Sequence, residues 1–348
     1  MTGMRLRSVL ATLTAGLAAA ACLTAAGPAP ALAGPEPDRD HPCSPYVSVQ
    51  RFSDALDKTT YHGIFVGNFS ALAVDTDGSL AALEDRSVLF DLDPVTLRPK
   101  AAVRLADENG AELDSEGLAI DKDGTRLVSS ETEPSVRRYS RAGRILDRLP
   151  VPPALLVAPA GRATPNQTFE GLTLLPGGRG LLAAMEGAIA GDSPGIVRFQ
   201  TWQRNHDRFR LAAQYGYRTD PGLGVPEVQS LPDGRLLVLE RGFTAGYGNT
   251  VRLYLADPRR ATDTSRITYL TGQPGVRLVG KTLLADLVTC PSLGATAKQP
   301  QPNPLLDNIE GMTITGRDRS GRLKVVLVSD DNASPAQTTR FSYLRVRV

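Results

Sequence analysis

The sequence contains an internal repeat in which an apolar segment, a glycine-containing turn and a second apolar segment follow one another. The turns include Asp75–Gly78, Asp121–Gly124 and Pro232–Gly234, and the five copies begin at residues 70, 116, 170, 227 and 310. Turns of this composition favour antiparallel β-hairpins, because glycine accepts the positive φ that tight hairpin turns require. The chain is therefore predicted to be built from repeated hairpins.

A third strand-like run follows the hairpin in the first four copies, as in Val88–Phe90 and Ile196–Phe199. Three to four strands per copy, with no amphipathic helix between them, are typical of propeller blades. We predict an all-β fold, a β-propeller with about four antiparallel strands in each blade. At about 50 residues per blade, the chain from Val47 onward predicts six blades.

The spacing of the copies and the C-terminus add two expectations. The copies are separated by 46, 54, 57 and 83 residues, and the last step is long enough to contain a degenerate blade or a large insertion. The C-terminal run Phe341–Val346 alternates as a strand does, and we expect it to pair with the segment near Val47 and close the ring.

The N-terminus has the features of a secretory signal peptide. Arg5 and Arg7 precede an apolar run over residues 9–23, and Ala31–Ala33 has the small-x-small pattern that signal peptidase requires. We predict a signal peptide over residues 1–33 that is cleaved after this motif. The apolar run is shorter than the ~20 residues of a spanning helix, so the product is expected to be extracellular and free of the membrane.

The remaining chain is predicted to comprise a short N-terminal segment, 34–46, and the propeller domain, 47–348. Its composition, with 41% hydrophobic residues, is sufficient for a sizeable core. The net charge of +2 gives no general attraction to nucleic acid, and we expect no nucleic-acid partner. Signal cleavage leaves Cys43 and Cys290, which in an oxidising compartment favour a disulfide, with two free thiols as the alternative.

Acidic residues recur at both ends of the repeated hairpin. Four of the five copies open with a glutamate: Glu116, Glu170, Glu227 and Glu310. The second strands end in Glu84-Asp85, Glu131, Glu186, Glu240 and Asp330-Asp331. In an antiparallel pair the start of one strand lies beside the end of the next, so we expect these carboxylates at one edge of every blade, around a central site.

A ring of like charges destabilises a fold unless positive charge lies among them. A hard cation such as Ca²⁺ prefers oxygen ligands, and the predicted ligands are Glu116, Glu131, Glu170, Glu186, Glu227, Glu240, Glu310 and Asp330. Arg86 and Arg241 directly follow closing carboxylates and, with Lys281, are the predicted substrate-binding residues. Alternatively, the acidic residues cap strand ends or pair with arginine and have only a structural role.

Five segments together resemble the phytase-like family, named for esterase-like activity of phytase. They are Asp114–Ala119, Thr168–Leu172, Leu237–Arg241, Asn308–Met312 and Val328–Asn332. The resemblance covers residues 63–348 and implies an exported propeller that hydrolyses phosphate or other esters, without assigning catalytic residues. The first copy departs from the pattern, because Ser70 stands where the others have glutamate.

Other catalytic signatures are weak. Gly191–Gly195 matches the nucleophile-elbow pattern, but Pro194 follows the serine and has no N–H for an oxyanion hole. We therefore expect a monomeric, Ca²⁺-dependent hydrolase of a small anionic or ester substrate. The candidate catalytic residues are Glu116, Glu170, Glu310 and Arg241. The alternative is a non-catalytic propeller that binds a ligand or an envelope partner and holds a structural cation.

Overall fold

Strands dominate residues 40–348, the part of the chain that the computed structural model describes. The predicted signal peptide and the first residues of the 34–46 segment lie outside the described residues. Helical structure within the described part is limited to four short 3₁₀ turns: Pro153–Leu155, Pro176–Gly178, Pro258–Arg260 and Leu287–Thr289. No helix among the described residues is long and apolar enough to cross a bilayer.

The strands form five antiparallel blades. The chain enters through β1 (His41–Pro42) and β2 (Val47–Ser53), followed by a small hairpin of β3 (Thr59–Tyr61) and β4 (Ile64–Val66). Blade 1 contains β5 (Phe69–Val74), β6 (Leu80–Glu84), β7 (Val88–Leu92) and β8 (Pro99–Arg104). Blade 2 contains β9 (Ser115–Ile120), β10 (Arg126–Ser130), β11 (Ser135–Tyr139) and β12 (Ile145–Arg148).

The later blades have longer strands. Blade 3 contains β13 (Phe169–Leu174), β14 (Gly180–Met185), β15 (Ile196–Asn205) and β16 (Arg208–Arg218). Blade 4 contains β17 (Gly224–Ser230), β18 (Leu236–Thr244), β19 (Gly248–Asp257) and β20 (Gly280–Asp286). Blade 5 contains β21 (Ile309–Arg317), β22 (Leu323–Ser329) and β23 (Phe341–Val346), and β2 and β1 complete its sheet.

The propeller prediction is confirmed, but the prediction of six blades is wrong. The first strand of each blade, β5, β9, β13, β17 and β21, contacts the first strand of the next, and β21 contacts β5 again. The ring is therefore complete with five blades. The 83-residue step holds the long β19, the strand β20 and an irregular segment over residues 287–308 that forms no further sheet.

Both ends of the described chain join blade 5. Val47 pairs with Val346 and Ser53 with Phe341, so β2 lies antiparallel to β23 and closes the ring as predicted. A disulfide between Cys43 and Cys290 then ties the entering chain to the irregular segment before blade 5. The predicted pairing of these two cysteines is confirmed.

Apolar side chains fill the space between neighbouring blades. Between blades 1 and 5, Phe69 makes edge contacts with Phe90 and Phe341, and all three are fully buried. In blade 3, Trp202 packs against Phe169, and its indole N–H donates to the Pro150 carbonyl at 2.7 Å. Burial of each such side chain contributes about 1.5–3 kcal/mol, so the interfaces between blades carry the stability of the ring.

Glycine in the inner strands allows the blades to approach closely around the axis. A Cβ atom on Gly117 would lie 2.2 Å from the Glu170 carbonyl oxygen, and one on Gly171 would lie 2.7 Å from the Val228 amide nitrogen. Neither distance is compatible with a side chain. The glycine that follows the opening glutamate therefore lets adjacent inner strands meet, which brings the glutamates themselves together.

Candidate functional site

A polar cavity of about 470 Å³ lies at the end of the propeller where the inner strands β5, β9, β13 and β21 begin. Eight acidic side chains and one arginine line it: Asp85, Asp114, Glu116, Glu131, Glu170, Glu186, Arg241, Glu310 and Asp330. The remaining lining residues are mostly amides. This central pocket therefore contains six of the eight predicted metal ligands.

The register of the inner hairpins explains why these carboxylates meet. In blade 3, Leu172 pairs with Ala183. Glu170 lies two residues before Leu172, and Glu186 lies three residues after Ala183. The same offsets relate Glu116 to Glu131 in blade 2 and Glu310 to Asp330 in blade 5. A register shift at the opening glutamate of each hairpin, as in a β-bulge, takes that residue out of the regular ladder.

Blade 4 departs from this register by one residue. When the buried Val228 is matched to the buried Leu172 and Met312 of the other blades, the positions equivalent to Glu170 and Glu186 are Pro226 and Arg241, and of the blade 4 residues at these hairpin ends only Arg241 lines the pocket. Side chains alternate along a strand, and a shift of one residue therefore turns them to the other side. As a consequence, Glu227 and Glu240 do not line the central pocket, and an arginine takes the place of the fifth closing carboxylate.

Glu227 occupies the position that is glycine in blades 2, 3 and 5. Its side chain is fully buried, and one carboxyl oxygen accepts from the Val228 amide at 2.7 Å. Burial raises the pKa of Glu227 well above its ordinary value, although backbone amides of Val228, Leu172 and Met312 oppose that shift. Glu227 thus lies between the inner strands of blades 3, 4 and 5, where burial favours its protonated form.

Glu240 belongs to a separate buried network. It accepts from Tyr217 Oη at 2.6 Å, from the Asp220 amide at 2.8 Å and from Lys281 Nζ at 2.5 Å. Lys281 also donates to Asp220 at 2.9 Å and therefore does not reach the central pocket. Arg86 is exposed and is likewise not among the lining residues. Of the three predicted substrate-binding residues, only Arg241 lies among the carboxylates that line the central pocket.

The acidic side chains of the pocket are held in an environment that favours their protonated forms. Burial, reinforced by Glu310 and Glu131, raises the pKa of Glu116 well above its ordinary value. Burial and the nearby Glu116 do the same for Glu170. For Glu131, burial and Glu186 raise the pKa to about 7. In each case burial is the larger cause, and the neighbouring carboxylates add to it.

Arg241 supplies the positive charge of the pocket. Its Nη2 donates to Glu310 Oε1 at 2.7 Å and lies 3.7 Å from Glu186 Oε1. The guanidinium opposes the rise that burial causes in the pKa of both carboxyls. Asn308 Nδ2 also donates to Glu310, at 2.9 Å. The pocket therefore has a compensated side near blades 4 and 5 and an uncompensated acidic side near blades 2 and 3.

Two groups of carboxylates on the acidic side are close enough to hold a cation. One comprises Asp114, Glu116 and Glu131, the other Glu131, Glu170 and Glu186, with ligand atoms in each group within 4.8 Å of one another. Hard oxygen donors at this spacing suit a divalent cation such as Ca²⁺. Sequence reasoning expected Asp85 among the closing carboxylates but not as a ligand, and it did not assign Asp114 to the site, although Asp114 lies two residues before Glu116, on the same side of an extended chain.

Comparison with known proteins places the chain in a family. The profile of the phytase-like family, described as esterase-like activity of phytase, matches residues 64–333. That range covers most of the propeller, and the chain belongs to this family.

Individual relatives are distant. An uncharacterized secreted protein of Arthroderma benhamiae is 28% identical over a region that covers 38% of this chain and 35% of that protein. The aligned region thus spans about a third of the relative's length. Among solved structures, a gluconolactonase from Xanthomonas campestris is 14% identical with a TM-score of 0.42 and coverage of 82% of this chain and 74% of its own. The WD40 repeats of RRP9 are 12% identical with a TM-score of 0.38, covering 88% and 99%.

Proposed function

We propose that the protein is a hydrolase of phosphoesters or related esters that acts at the central pocket with a bound divalent cation, Ca²⁺. The observation that carries the proposal is the pair of three-carboxylate groups that share Glu131, beside the single arginine of the pocket. An acidic cation site and an arginine in one cavity can hold opposite ends of an anionic ester group. Family membership supports ester hydrolysis as the reaction class.

The donor set supports the cation. Asp114, Glu116 and Glu131 present hard oxygen ligands, and burial together with neighbouring carboxylates raises the pKa of both glutamates, which supports a site that a cation would compensate. A cation at this place would compensate them and favour their ionised forms. When bound, the cation supplies Lewis-acid polarisation of the ester group.

The chain's own residues then have distinct roles. Arg241 offers planar N–H donors to the anionic oxygens of the substrate, a charge-assisted contact that its present bond to Glu310 already demonstrates for a carboxylate. Glu170, whose pKa burial raises, carries the proton that the leaving oxygen requires. Glu310 holds the Arg241 guanidinium in place through their 2.7 Å hydrogen bond.

We also propose that the protein acts outside the cell as a monomer. The Cys43–Cys290 disulfide persists in oxidising compartments, which supports export. The secreted relative from Arthroderma supports the same location.

Hydrolysis by matched variants tests the function. The wild-type protein with calcium is expected to release product from phytate, p-nitrophenyl phosphate or p-nitrophenyl acetate, and EDTA is expected to abolish the release. The double variant Glu116→Gln/Glu131→Gln should lose at least about a hundredfold in kcat/KM, because a cation ligand set and its charge are removed. Glu227→Gln, equally buried but outside the pocket, is the control and should retain activity.

Two outcomes separate the alternatives. Activity that survives in the double variant contradicts catalysis at this cation site, and activity that is absent in the wild type with every ester contradicts the hydrolase. If calcium still binds to that inactive wild type, the protein is a ligand-binding propeller with a structural cation.

A further inference from the structure

The propeller has a second axial cavity at the end opposite the central pocket. It measures about 500 Å³ and lies where the inner strands of all five blades end, and we call it the distal pocket. Among the described residues, the two pockets share no lining residue. Side chains two positions after the glycine position of each inner strand lie on the same side as that position and line the distal pocket. These residues are Ala73, Ala119, Thr173, Gln229 and Thr313.

Glu227 lies on the axis between the two pockets. Its carboxyl group is fully buried and lines neither pocket. The backbone amides of Leu172, Val228 and Met312, from three different blades, surround this carboxyl group, and the Gln229 side chain contacts it as well. A ligand in the distal pocket is therefore separated from the acidic side chains of the central pocket.

The floor of the distal pocket contains a hydroxyl group without a partner. Thr313 is only 3% exposed, and its hydroxyl makes no hydrogen bond within the part of the chain that the structure describes. Thr173 Oγ1 accepts from the Ser230 amide at 3.0 Å, so its own hydroxyl proton remains available for an acceptor. A nearly buried hydroxyl without a partner destabilises the fold, and this floor therefore suits a ligand that brings a hydroxyl group of its own.

The walls above this floor are apolar, and the rim is positively charged. Ile120, Leu174 and Ile314 are half-buried, and Val74 is 39% exposed. Arg317 lines the pocket, whereas no carboxylate is among the described lining residues. The Arg317 Nη1 donates to the Gly321 carbonyl at 2.6 Å, and its other N–H groups have no acidic partner among the described residues. The rim therefore favours an anionic group.

The hydroxyl, the apolar wall and the positive charge follow one another along β21, at Thr313, Ile314 and Arg317. We propose that the distal pocket binds an aromatic hydroxy acid, with its carboxylate at Arg317, its ring between the apolar walls and its hydroxyl at Thr313. A rigid ring holds these two groups at a fixed separation and loses less conformational entropy on binding than a flexible chain. A cavity of about 500 Å³ is in the range of small-molecule sites. The proposal does not depend on ester hydrolysis.

Calorimetric titration with three related compounds tests each contact separately. The wild type at pH 7 should bind 4-hydroxycinnamate about fivefold more tightly than cinnamate, which lacks the hydroxyl, and about tenfold more tightly than methyl 4-hydroxycinnamate, which lacks the charge. Thr313→Val, which keeps the shape, should remove the first difference and keep the second. Arg317→Gln should remove the second and keep the first. Arg319→Gln, at an exposed arginine that does not line the pocket, is the matched control and should keep both.

Absence of 4-hydroxycinnamate binding to the wild type, or a Thr313→Val variant that still prefers the hydroxyl, overturns the proposal. If Thr313→Val does not fold, the exposed Arg317 decides through its own variant. The double variant Glu116→Gln/Glu131→Gln should bind as the wild type does, and loss of binding there would place the ligand in the central pocket instead. A dimer in sedimentation velocity that Val74→Asp disperses would show that a second copy covers the distal pocket, which also overturns the proposal.

Discussion

Arg241 changes the charge balance of the pocket, because blade 4 has an arginine at a position where the other four blades have a carboxylate. The equivalent positions in the other blades hold Asp85, Glu131, Glu186 and Asp330. A buried guanidinium is stable only when it is paired, and Glu310 supplies the partner at 2.7 Å. One arginine among carboxylates therefore gives the pocket a positively charged end beside its acidic end, which is the asymmetry that the proposed ester hydrolysis requires.

Glu84 shows the opposite situation, a buried carboxyl next to another acid. Burial and the adjacent Asp85 raise its pKa to about 7. In the unfolded chain the same carboxyl ionises near 4.5, so between these values the folded state holds an extra proton. The contribution of Glu84 to the free energy of unfolding therefore falls as the pH rises from about 4.5 to about 7, and remains low above that range.

We predict that Glu84→Gln removes this pH dependence. Relative to the wild type, the variant should gain on the order of 2 kcal/mol in free energy of unfolding between pH 4 and pH 8, after allowance for solvent screening. Urea unfolding in EDTA at both pH values measures the difference. Asp207→Asn, at an exposed carboxylate between β15 and β16 that does not influence Glu84, is the control. A constant difference between Glu84→Gln and the wild type across this pH range would contradict the prediction.

At the scale of elements, the irregular segment 287–308 occupies part of the chain in which the sequence predicted a sixth blade. It has no ladder of its own, so side chains must satisfy its backbone. Asn303 Nδ2 donates to the carbonyls of Cys290 at 2.6 Å and Val288 at 3.1 Å. The segment thereby holds a fixed shape and carries Gln299 to the mouth of the pocket.

The disulfide is predicted to stabilise this arrangement. Cys43 and Cys290 are 247 residues apart in sequence, so the bond restricts nearly the whole unfolded chain. Cys43→Ser/Cys290→Ser should lower the free energy of unfolding by about 2–5 kcal/mol. Urea unfolding of the variant and of reduced wild type measures the loss, and thiol titration of the denatured, unreduced wild type should find no free thiol. Two titratable thiols in that sample would contradict the bond.

At the scale of the whole molecule, the central pocket exists only when the ring is closed. Its acidic residues come from blades 1, 2, 3 and 5, and its arginine from blade 4. A cation held by Asp114, Glu116 and Glu131 would contact blade 2, and one held by Glu131, Glu170 and Glu186 would join blades 2 and 3, but either would bind only the folded state. Its binding therefore adds to the stability of the entire propeller.

Calcium is accordingly predicted to raise the melting temperature. At a hundredfold excess over Kd, binding to the folded state contributes about 2.7 kcal/mol, which corresponds to a rise in Tm on the order of 5 °C. Differential scanning calorimetry with calcium and with EDTA measures it. Glu116→Gln/Glu131→Gln should abolish the response, and Glu227→Gln should retain it. Equal Tm values for the wild type in calcium and EDTA would show that the carboxylates hold no cation.

The sequence by itself determined the strands, the hairpins, the ring closure through Phe341–Val346 and the collection of acidic residues at one end of the blades. These features depend on the alternation of apolar residues and on turn composition, both of which are set by residues close together in the sequence. The sequence also favoured a bond between Cys43 and Cys290, the two cysteines left after the predicted signal cleavage, with free thiols as the alternative that the structure then excluded.

Only the tertiary structure decided the blade count, the place of Glu227 and Glu240, and the presence of Asn249 and Gln299 in the pocket lining. The number of blades depends on whether inner strands meet around an axis, which the length of an insertion does not reveal. Glu227 lies outside the pocket because it is displaced by one residue along its strand. Side chains alternate between the two faces of a strand, so this displacement places Glu227 on the opposite face. Asn249 and Gln299 come together through a long hairpin and an irregular segment, where no repeat gives a signal.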